Sequence, residues 1–471
     1  MSSHATQTVG SPKLSQAAVD KLKSICGEKN VITSKIGMYA YGYDGTLLFG
    51  VPSAIVFPET TQEVVDIVNF AREQGISLVP RGAGTNEAGG TIPVNGSITI
   101  GFSRMKKVIE VDVDNYVALV EPGVVNWDIQ EILAKYGYYY PPDPASWKSS
   151  TLGGNLGECS GGPKCFKYGV TRDFIYGLEV VLPTGKVIWV GGNDFSSEPM
   201  YDMTRIIIGS EGTLGFITKI AIRILPIPAA KKTMLAIYNT PEDGSQSVAD
   251  IVSAGIIPTT LEMMDNLIIN TTEDFVHAGN PRDAGALLIL EVDGHPGDLD
   301  EQVKTISEIV KKANAREFKV ASSAAEVDQI WLARRVAFGS VARVRPNYGV
   351  NDITVPRSQF PAVIAGIEKV KKDFGVTIGV VAHAGDGNLH PLILFDQRNQ
   401  DEVEVVHKAE KELCKLALGL EGTISGEHGI GLVKKPLLFQ EFSAVTMDVF
   451  KKIKRAFDPK NTFNPTKLID L

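Results

Sequence analysis

Two histidines bracket a turn-forming stretch in His383-Ala384-Gly385-Asp386-Gly387-Asn388-Leu389-His390. Asp-Gly is favoured at the centre of two-residue hairpin loops. The spacing therefore predicts a turn at Asp386-Gly387, with Gly385 opposite Asn388, Ala384 opposite Leu389 and His383 opposite His390. Cross-strand neighbours share a face with Cβ atoms about 5 Å apart, close enough for two imidazoles to hold one metal ion. An acidic–imidazole pair follows in Ser425-Gly426-Glu427-His428-Gly429, and three of the chain's seven histidines fall in these two motifs. His383, His390 and Glu427 are candidate ligands of a divalent cation. Two imidazoles and a carboxylate suit Zn2+, Fe2+ or Mn2+ and leave positions open for a substrate. The competing reading is a polar hairpin whose histidines face water.

A second constellation lies near the N-terminus, in Pro80-Arg81-Gly82-Ala83-Gly84-Thr85-Asn86. Gly82 and Gly84 allow positive φ and can present successive N–H groups to an anion, with Arg81, Thr85 and Asn86 as further donors. This is not a Rossmann turn, in which G-x-G-x-x-G runs straight into a helix. Glu87 stands where the third glycine would be, and the predicted helix precedes the strand. Glycine segments recur at Glu121-Pro122-Gly123, Ser150 to Asn155, Gly161-Gly162-Pro163 and Gly209 to Gly215. Repeated close approaches of backbone fit an extended, phosphate-bearing cofactor; tight turns of an irregular α+β fold are the alternative.

The elements that must position these residues are partly readable. Thr60 and Glu63 fit a capping box, and Val64, Val65, Val68 and Ala71 form an apolar stripe, predicting a helix over 60–75. Strands are predicted at 76–80, 117–120, 176–182, 187–190, 206–208 and 216–218, with a long Gly/Pro/Ser-rich loop from Pro141 to Gly169. From about residue 230 the strand-like stretches 234–237 and 286–290 alternate with helical patterns such as 301–315, a βα grain that predicts a second domain. Residues 440–471 read as helical, then end in Phe457-Asp458-Pro459-Lys460-Asn461.

Composition narrows the function classes. A chain of 471 residues is too long for one core and predicts two or three domains. A net charge of −8 argues against a general nucleic-acid or anionic-membrane surface. No apolar run approaches the roughly 18 residues a spanning helix needs. The first dozen residues show no basic start leading into an apolar stretch, so no secretory leader is expected and a cytoplasmic location is. Cys26, Cys159, Cys165 and Cys414 have neither cluster nor zinc-ribbon spacing and read as reduced thiols, so no second redox centre is expected.

The order of the glycine segments resembles the FAD-binding domain of the vanillyl-alcohol oxidase/p-cresol methylhydroxylase superfamily. With the histidine motifs, residues 30 to 470 resemble its FAD-linked D-lactate dehydrogenase/glycolate oxidase branch. The likeness extends to the catalytic subunits of electron-bifurcating lactate dehydrogenases that partner an electron-transfer flavoprotein. It implies an α+β fold in three stretches: a two-part vanillyl-alcohol-oxidase-type FAD-binding domain over 1–228, an α+β cap (substrate) domain with an antiparallel sheet over 229–425, and a C-terminal segment, 426–471, returning to the FAD-binding domain.

The resemblance also implies residue roles. Pro80, Arg81, Gly82, Ala83, Gly84, Thr85 and Asn86 would cradle the FAD pyrophosphate. Pro122, Gly123, Asp143, Thr151, Gly153, Gly154 and Asn155, with Gly161, Gly162, Tyr168 and Gly169, would line the adenosine and flavin portions. Glu211, Gly212 and Ile217, with Asn464, would add contacts. Covalent members of the superfamily attach flavin through a His just after the first glycine loop; Thr85 and Asn86 stand there, so FAD would be non-covalent. His383, His390 and Glu427 would bind the metal, and His428 would be the base that takes the substrate hydroxyl proton. Trp331-Leu332-Ala333-Arg334-Arg335 resembles the family's substrate-arginine segment, with Arg334 preferred to Arg335 as partner of the carboxylate. One solvated and one salt-bridged arginine is the ordinary alternative.

Relatives that take longer diacids carry a basic residue where this chain has Val350-Asn351, which favours a short monocarboxylic acid. Asn388 would contact substrate or serve the turn. The implied activity is flavin- and metal-dependent oxidation of a short D-2-hydroxy acid, D-lactate to pyruvate first, with electrons leaving to a soluble partner such as an electron-transfer flavoprotein. A cation bound by carboxylate and hydroxyl oxygens lowers the hydroxyl pKa, and a neutral imidazole of pKa about 6.5 can take the proton. The alternatives are a glycolate or D-2-hydroxyglutarate dehydrogenase, a non-redox transferase like the alkylglycerone-phosphate synthases, and a non-catalytic flavin subunit.

Overall fold

The helix expected near residue 60 spans Thr61–Gln74 and begins where the hydroxyl of Thr60 accepts the Glu63 N–H at 3.2 Å. The carboxylate of Glu63 returns to the N–H of Glu59 rather than Thr60, at 2.7 Å, so the box closes one residue upstream. Val64, Ile67, Val68 and Ala71 are buried on its inner face. They share a core with three parallel strands, Ala54–Val56, Ile98–Gly101 and Leu78–Arg81.

The computed structural model describes residues 13–94, 96–192 and 201–471, and the first dozen residues read for a leader lie outside that range. The chain divides into two units. The first comprises 1–160, 170–227 and 427–471; the second comprises 161–169 and 228–426. Among the described residues, no helix is long and apolar enough to cross a membrane.

In the first unit, Val31–Ile32 adds an antiparallel edge to the three parallel strands. A second sheet is antiparallel throughout, in the order Val108–Asp112, Val117–Val120, Phe216–Arg223, Ile175–Val181, Val187–Gly191. The C-terminal segment docks into this unit. The N–H of Leu78 donates to the Thr462 carbonyl at 2.8 Å, and Phe463 stacks on Phe216 with ring centroids 3.9 Å apart. Buried Lys454, on the helix Ala444–Phe457, donates to the Thr213 and Phe463 carbonyls and to Asp458.

Two local expectations fail. Residues 206–208, read as a strand from three consecutive isoleucines, lie at the end of the short helix Thr204–Ile207. There the Asp202 carboxylate takes the Thr204 N–H at 3.1 Å, and that local bond outweighs the β-branched run. The stretch 141–169, read as a loop, contains the helices Leu152–Glu158 and Cys165–Tyr168. Thr151 caps the first of them on the Gly154 N–H.

The second unit is built on one antiparallel sheet in the order Glu317–Val320, Ala230–Tyr238, Ala286–Gly294, Thr260–Asp265, Thr377–His383, Asn388–Phe395, Asn347–Val350, with Ile353–Thr354 also pairing Asn388–Phe395. Alternate side chains bury into two cores. Leu261 and Met263 pack with one set of helices, whereas Met264, Val381, Leu392 and Leu394 pack with Ala333 and Ala337 of the helix Ala324–Ser340. Glu262, His383, Asn388 and His390 have the parity of that second face. The sheet has helices on both sides, so any polar residue on a central strand must find its partner inside the protein.

Residues 161–169 belong to this second unit rather than to the stretch expected to bind FAD. Lys167 forms an ion pair with buried Asp293, and the Tyr168 hydroxyl donates to both oxygens of the same carboxylate at 3.0 Å. Phe166 covers the position where a side chain on Gly385 would project, and Arg357 lies over its ring.

Candidate active site

The two histidines do lie on adjoining strands, but in a different register. His383 pairs with Asn388 and Val381 pairs with His390, so the loop is four residues long rather than two. Gly387, at φ +82°, occupies its left-handed position, and its carbonyl accepts the Val355 N–H at 3.0 Å. A side chain there would strike the Val355 carbonyl. Diagonal neighbours on one face remain within reach of ring-sized side chains. The His383 and His390 rings meet edge to face with centroids 5.2 Å apart. Both are buried, at 4% and 1% exposure.

His383 Nδ1 lies 2.7 Å from Glu262 Oε1. The other oxygen of Glu262 accepts from Arg334 Nε, also at 2.7 Å. Glu262 is fully buried and Arg334 is 5% exposed. Burial pushes the Glu262 carboxyl up, but the adjacent His383 and Arg334 outweigh it and hold the group below its ordinary value. The Nη groups of Arg334 have no protein acceptor among the described residues, so they are available to a carboxylate ligand. Arg335 is half exposed and pairs with Asp328 at 3.0 Å, the ordinary surface arrangement.

Asp352, fully buried, organises the hairpin loop from below. It accepts from Asn388 Nδ2 at 2.7 Å, the Ser425 hydroxyl at 2.8 Å and the Gly426 N–H at 3.0 Å. The Asn388 amide is thereby committed to holding the turn, with a second bond to Thr354 at 2.9 Å, while its buried carbonyl oxygen has no protein partner.

Glu427 and His428 belong to the first unit, one peptide beyond Gly426. His428 Nδ1 is 3.2 Å from Glu87 Oε2, and its Nε2 is 3.7 Å from Glu427 Oε1. Glu87 therefore has a neighbour that the glycine-loop motif did not suggest.

The first unit also contains an open cleft. Of the residues expected to bind FAD, Pro80, Arg81, Gly82, Pro122, Thr151, Gly153, Gly154, Glu211, Gly212 and Ile217 line it. Two of its glycines sit where side chains have no room: a Cβ at Gly82 would strike Thr151, and one at Gly212 would strike Pro80. Next in sequence to the lining residues Thr151 and Gly154, Ser150 Oγ and Asn155 Nδ2 are buried without a protein partner among the described residues. This supply of unspent donors and close backbone fits an extended, phosphate-bearing cofactor.

Other expected contacts have structural duties. Arg81 donates to the Tyr43 carbonyl at 2.6 Å and its guanidinium fills the space beside Gly84. Asn86 donates to Asp44 at 3.1 Å. Gly123 packs against the turn at Phe102–Met105, its N–H donating to the Met105 carbonyl at 2.7 Å. Asn464 clamps the carbonyls of Gly90 and Glu211 at 2.9 and 2.7 Å. Ala83 is exposed, Thr85 and Asp143 are half-buried, and Gly161, Gly162, Tyr168 and Gly169 lie in the second unit.

Two carboxylates also line the cleft, and only one was expected. Glu211, at φ +50°, receives the N–H groups of Ile430 and Gly431 at 2.7 and 2.9 Å. Its own N–H donates to the Gly157 carbonyl, which brings Glu158 alongside. Side chains at Gly90 or Gly429 would meet both carboxylates at once. Burial, then Glu211 and Asp44, push Glu158 well above the usual carboxyl range against the pull of Lys434. Burial raises Glu211 as well, against its two N–H donors, Lys467 and Lys434. Burial brings the Lys467 ammonium down to about 8 against the attraction of Glu211 and Asp44.

Two family matches cross the two units, one running through residues 161–169 and the other taking in 427–468. Residues 52–191 match the FAD binding domain family, and residues 227–468 match the C-terminal domain of FAD linked oxidases. The chain is similar to the glycolate oxidase subunit GlcD of Bacillus subtilis, 40% identical over 450 residues that cover 95% of this chain and 96% of the relative. It is similar to a D-lactate dehydrogenase of Anaerostipes hadrus, 29% identical over 467 residues, 97% and 98% of the two chains. The structure of p-cresol methylhydroxylase shares the fold, with a TM-score of 0.79 at 19% identity over 97% of this chain and 98% of the other.

Proposed function

The chain belongs to the FAD-linked oxidases of the glycolate oxidase and D-lactate dehydrogenase type, and we propose that it oxidises a short D-2-hydroxy acid, D-lactate first among them. The observation that carries this reading is the joining of His383 and Arg334 through Glu262, with His390 against His383. A pair of imidazoles and a buried arginine on one sheet face is what a chelating hydroxy acid requires: ligands for a cation, and a planar donor for the carboxylate.

In this reading His383, His390 and Glu427 hold a divalent metal, and Pro80 to Gly82, Pro122, Thr151 to Gly154 and Glu211 to Ile217 hold FAD non-covalently. When bound, the cation supplies polarisation of the substrate hydroxyl and FAD supplies the acceptor for the Cα hydride. The Nη groups of Arg334 bind the substrate carboxylate and fix which hydrogen faces the acceptor. His428 takes the hydroxyl proton, with Glu87 beside Nδ1 to keep the imidazole oriented. Val350-Asn351 leave no cation for a second carboxylate, which favours lactate over D-2-hydroxyglutarate. The electrons would then pass to a soluble carrier of the electron-transfer-flavoprotein kind, for which the acidic net charge of −8 is the support, and the cytoplasm is the proposed location.

Anaerobic absorbance of the FAD-loaded enzyme tests the reaction class and stereochemistry together. Bleaching by D-lactate, with L-lactate inert and glycolate and D-2-hydroxyglutarate slower, is the expected result. Preference for D-2-hydroxyglutarate would overturn the substrate assignment, and a yellow colour that survives all four acids would overturn oxidation itself.

A further inference from the structure

We infer that Glu262 is a positioning residue whose single buried carboxylate sets His383 and Arg334 relative to one another, so that the cation site and the substrate-carboxylate site are aligned by one side chain. The inference rests on the roles proposed above for those two residues.

The sheet register puts Glu262 there. Thr260–Asp265 pairs with Thr377–His383, and Glu262 lies directly opposite His383. The strand is buried at every position, and its neighbours Leu261, Met263 and Met264 are apolar. A carboxylate in such a run is costly unless it is paired. Both oxygens are in fact spent, one on His383 and one on Arg334, each at 2.7 Å.

An ionised carboxylate can only accept, so the His383 contact requires a proton on Nδ1. Nε2, on the side of the ring away from Glu262, is then the nitrogen that carries the lone pair, which is the tautomer a metal-binding imidazole needs. The same carboxylate takes Arg334 by Nε and leaves the Nη face uncommitted. An amide in place of the carboxylate has one accepting atom and one donating atom. It could satisfy both only by donating to His383 Nδ1, which moves the imidazole proton to Nε2, the wrong tautomer for a metal ligand.

The test is Glu262→Gln in the full-length, FAD-loaded enzyme. Zinc affinity, measured by competition with a chromogenic chelator, is expected to fall 10- to 100-fold, the usual loss for a partner of a metal-bound histidine. KM for D-lactate is expected to rise at least tenfold, with FAD content unchanged. Glu262→Asp should recover part of both, because it keeps two accepting oxygens.

Wild-type zinc affinity together with wild-type KM in Glu262→Gln would overturn the inference. If that variant fails to fold, nitrogen NMR of zinc-loaded wild-type protein decides. Its His383 signal, assigned with His383→Gln, should show Nδ1–H, and an Nε2–H tautomer would overturn the inference. A wild-type enzyme that binds neither zinc nor lactate would instead refute the function proposed above, so the two failures are distinguishable.

Discussion

Each unit buries carboxylates, and the two treat them in opposite ways. In the second unit, Glu262 is held between Arg334 and His383 and kept below its ordinary pKa. In the first unit, Glu158 and Glu211 face each other and both are raised, Glu158 strongly. Burial raises all three; at Glu262 the neighbours His383 and Arg334 outweigh it, at Glu158 the neighbours Glu211 and Asp44 add to it, and at Glu211 it prevails over the groups that pull the other way. The first arrangement keeps a permanent anion that can orient cations. The second keeps a proton among acids at a pH where exposed carboxyls have lost theirs.

The strongest way to sharpen this contrast is to delete the imidazoles one unit at a time. His428→Ala should retain FAD and metal yet lose flavin reduction by D-lactate about 10²- to 10⁴-fold, the range for a removed general base. His383→Ala should lose the metal as well. Full activity in His428→Ala would remove the base assignment. Both are read by stopped-flow absorbance, together with metal analysis.

Next in size is the charge balance at Glu262. Arg334→Met leaves a buried carboxylate with one partner fewer and should cost about 3–5 kcal/mol in urea unfolding. Arg335→Met, which removes only an exposed pair, should cost at most about 1 kcal/mol. Equal costs would show that Arg334 does not compensate Glu262.

The smallest effect is expected in the cleft. A carboxyl whose pKa is raised by folding keeps in the native state a proton that the unfolded chain releases. Stability therefore falls as pH rises above the ordinary carboxyl range. Glu158→Gln removes that slope, so its gain over wild type in thermal unfolding should be larger at pH 8 than at pH 5, each unit of displaced pKa being worth about 1.4 kcal/mol. Glu262 has the opposite sign: its contribution is complete above about pH 4.3 and is lost as pH falls through its lower folded value. A Glu158→Gln gain that did not grow with pH would erase the distinction between the two regions.

The superfamily fold could be read in the chain because its glycine segments mark close backbone approaches in a fixed order, and many of them line the cleft. The histidine hairpin was visible too, but its register was not. Asp-Gly favours a two-residue turn, whereas a distant partner, the Val355 N–H on the Gly387 carbonyl, holds the loop two residues wider. Glu262 was invisible for a similar reason. Thr260-Leu261-Glu262-Met263-Met264-Asp265 looks like a buried strand, and the partners that make its one glutamate meaningful lie about 70 and 120 residues further on. A lone carboxylate inside an apolar strand was the available signal. Arg334 and Arg335 are adjacent and of one type, and only the packing of their helix tells the buried one from the solvated one.

The nine residues 161–169 carry a practical consequence. The FAD binding family match runs through them, yet they belong to the second unit, where Lys167 forms an ion pair with Asp293 and the Tyr168 hydroxyl donates to it. A chimera that grafts 228–426 onto a relative's cofactor half would bring Asp293 without its own lysine and tyrosine partners. Any exchange of specificity between relatives must therefore transplant two separate pieces of gene, and the shorter one lies inside the half being kept.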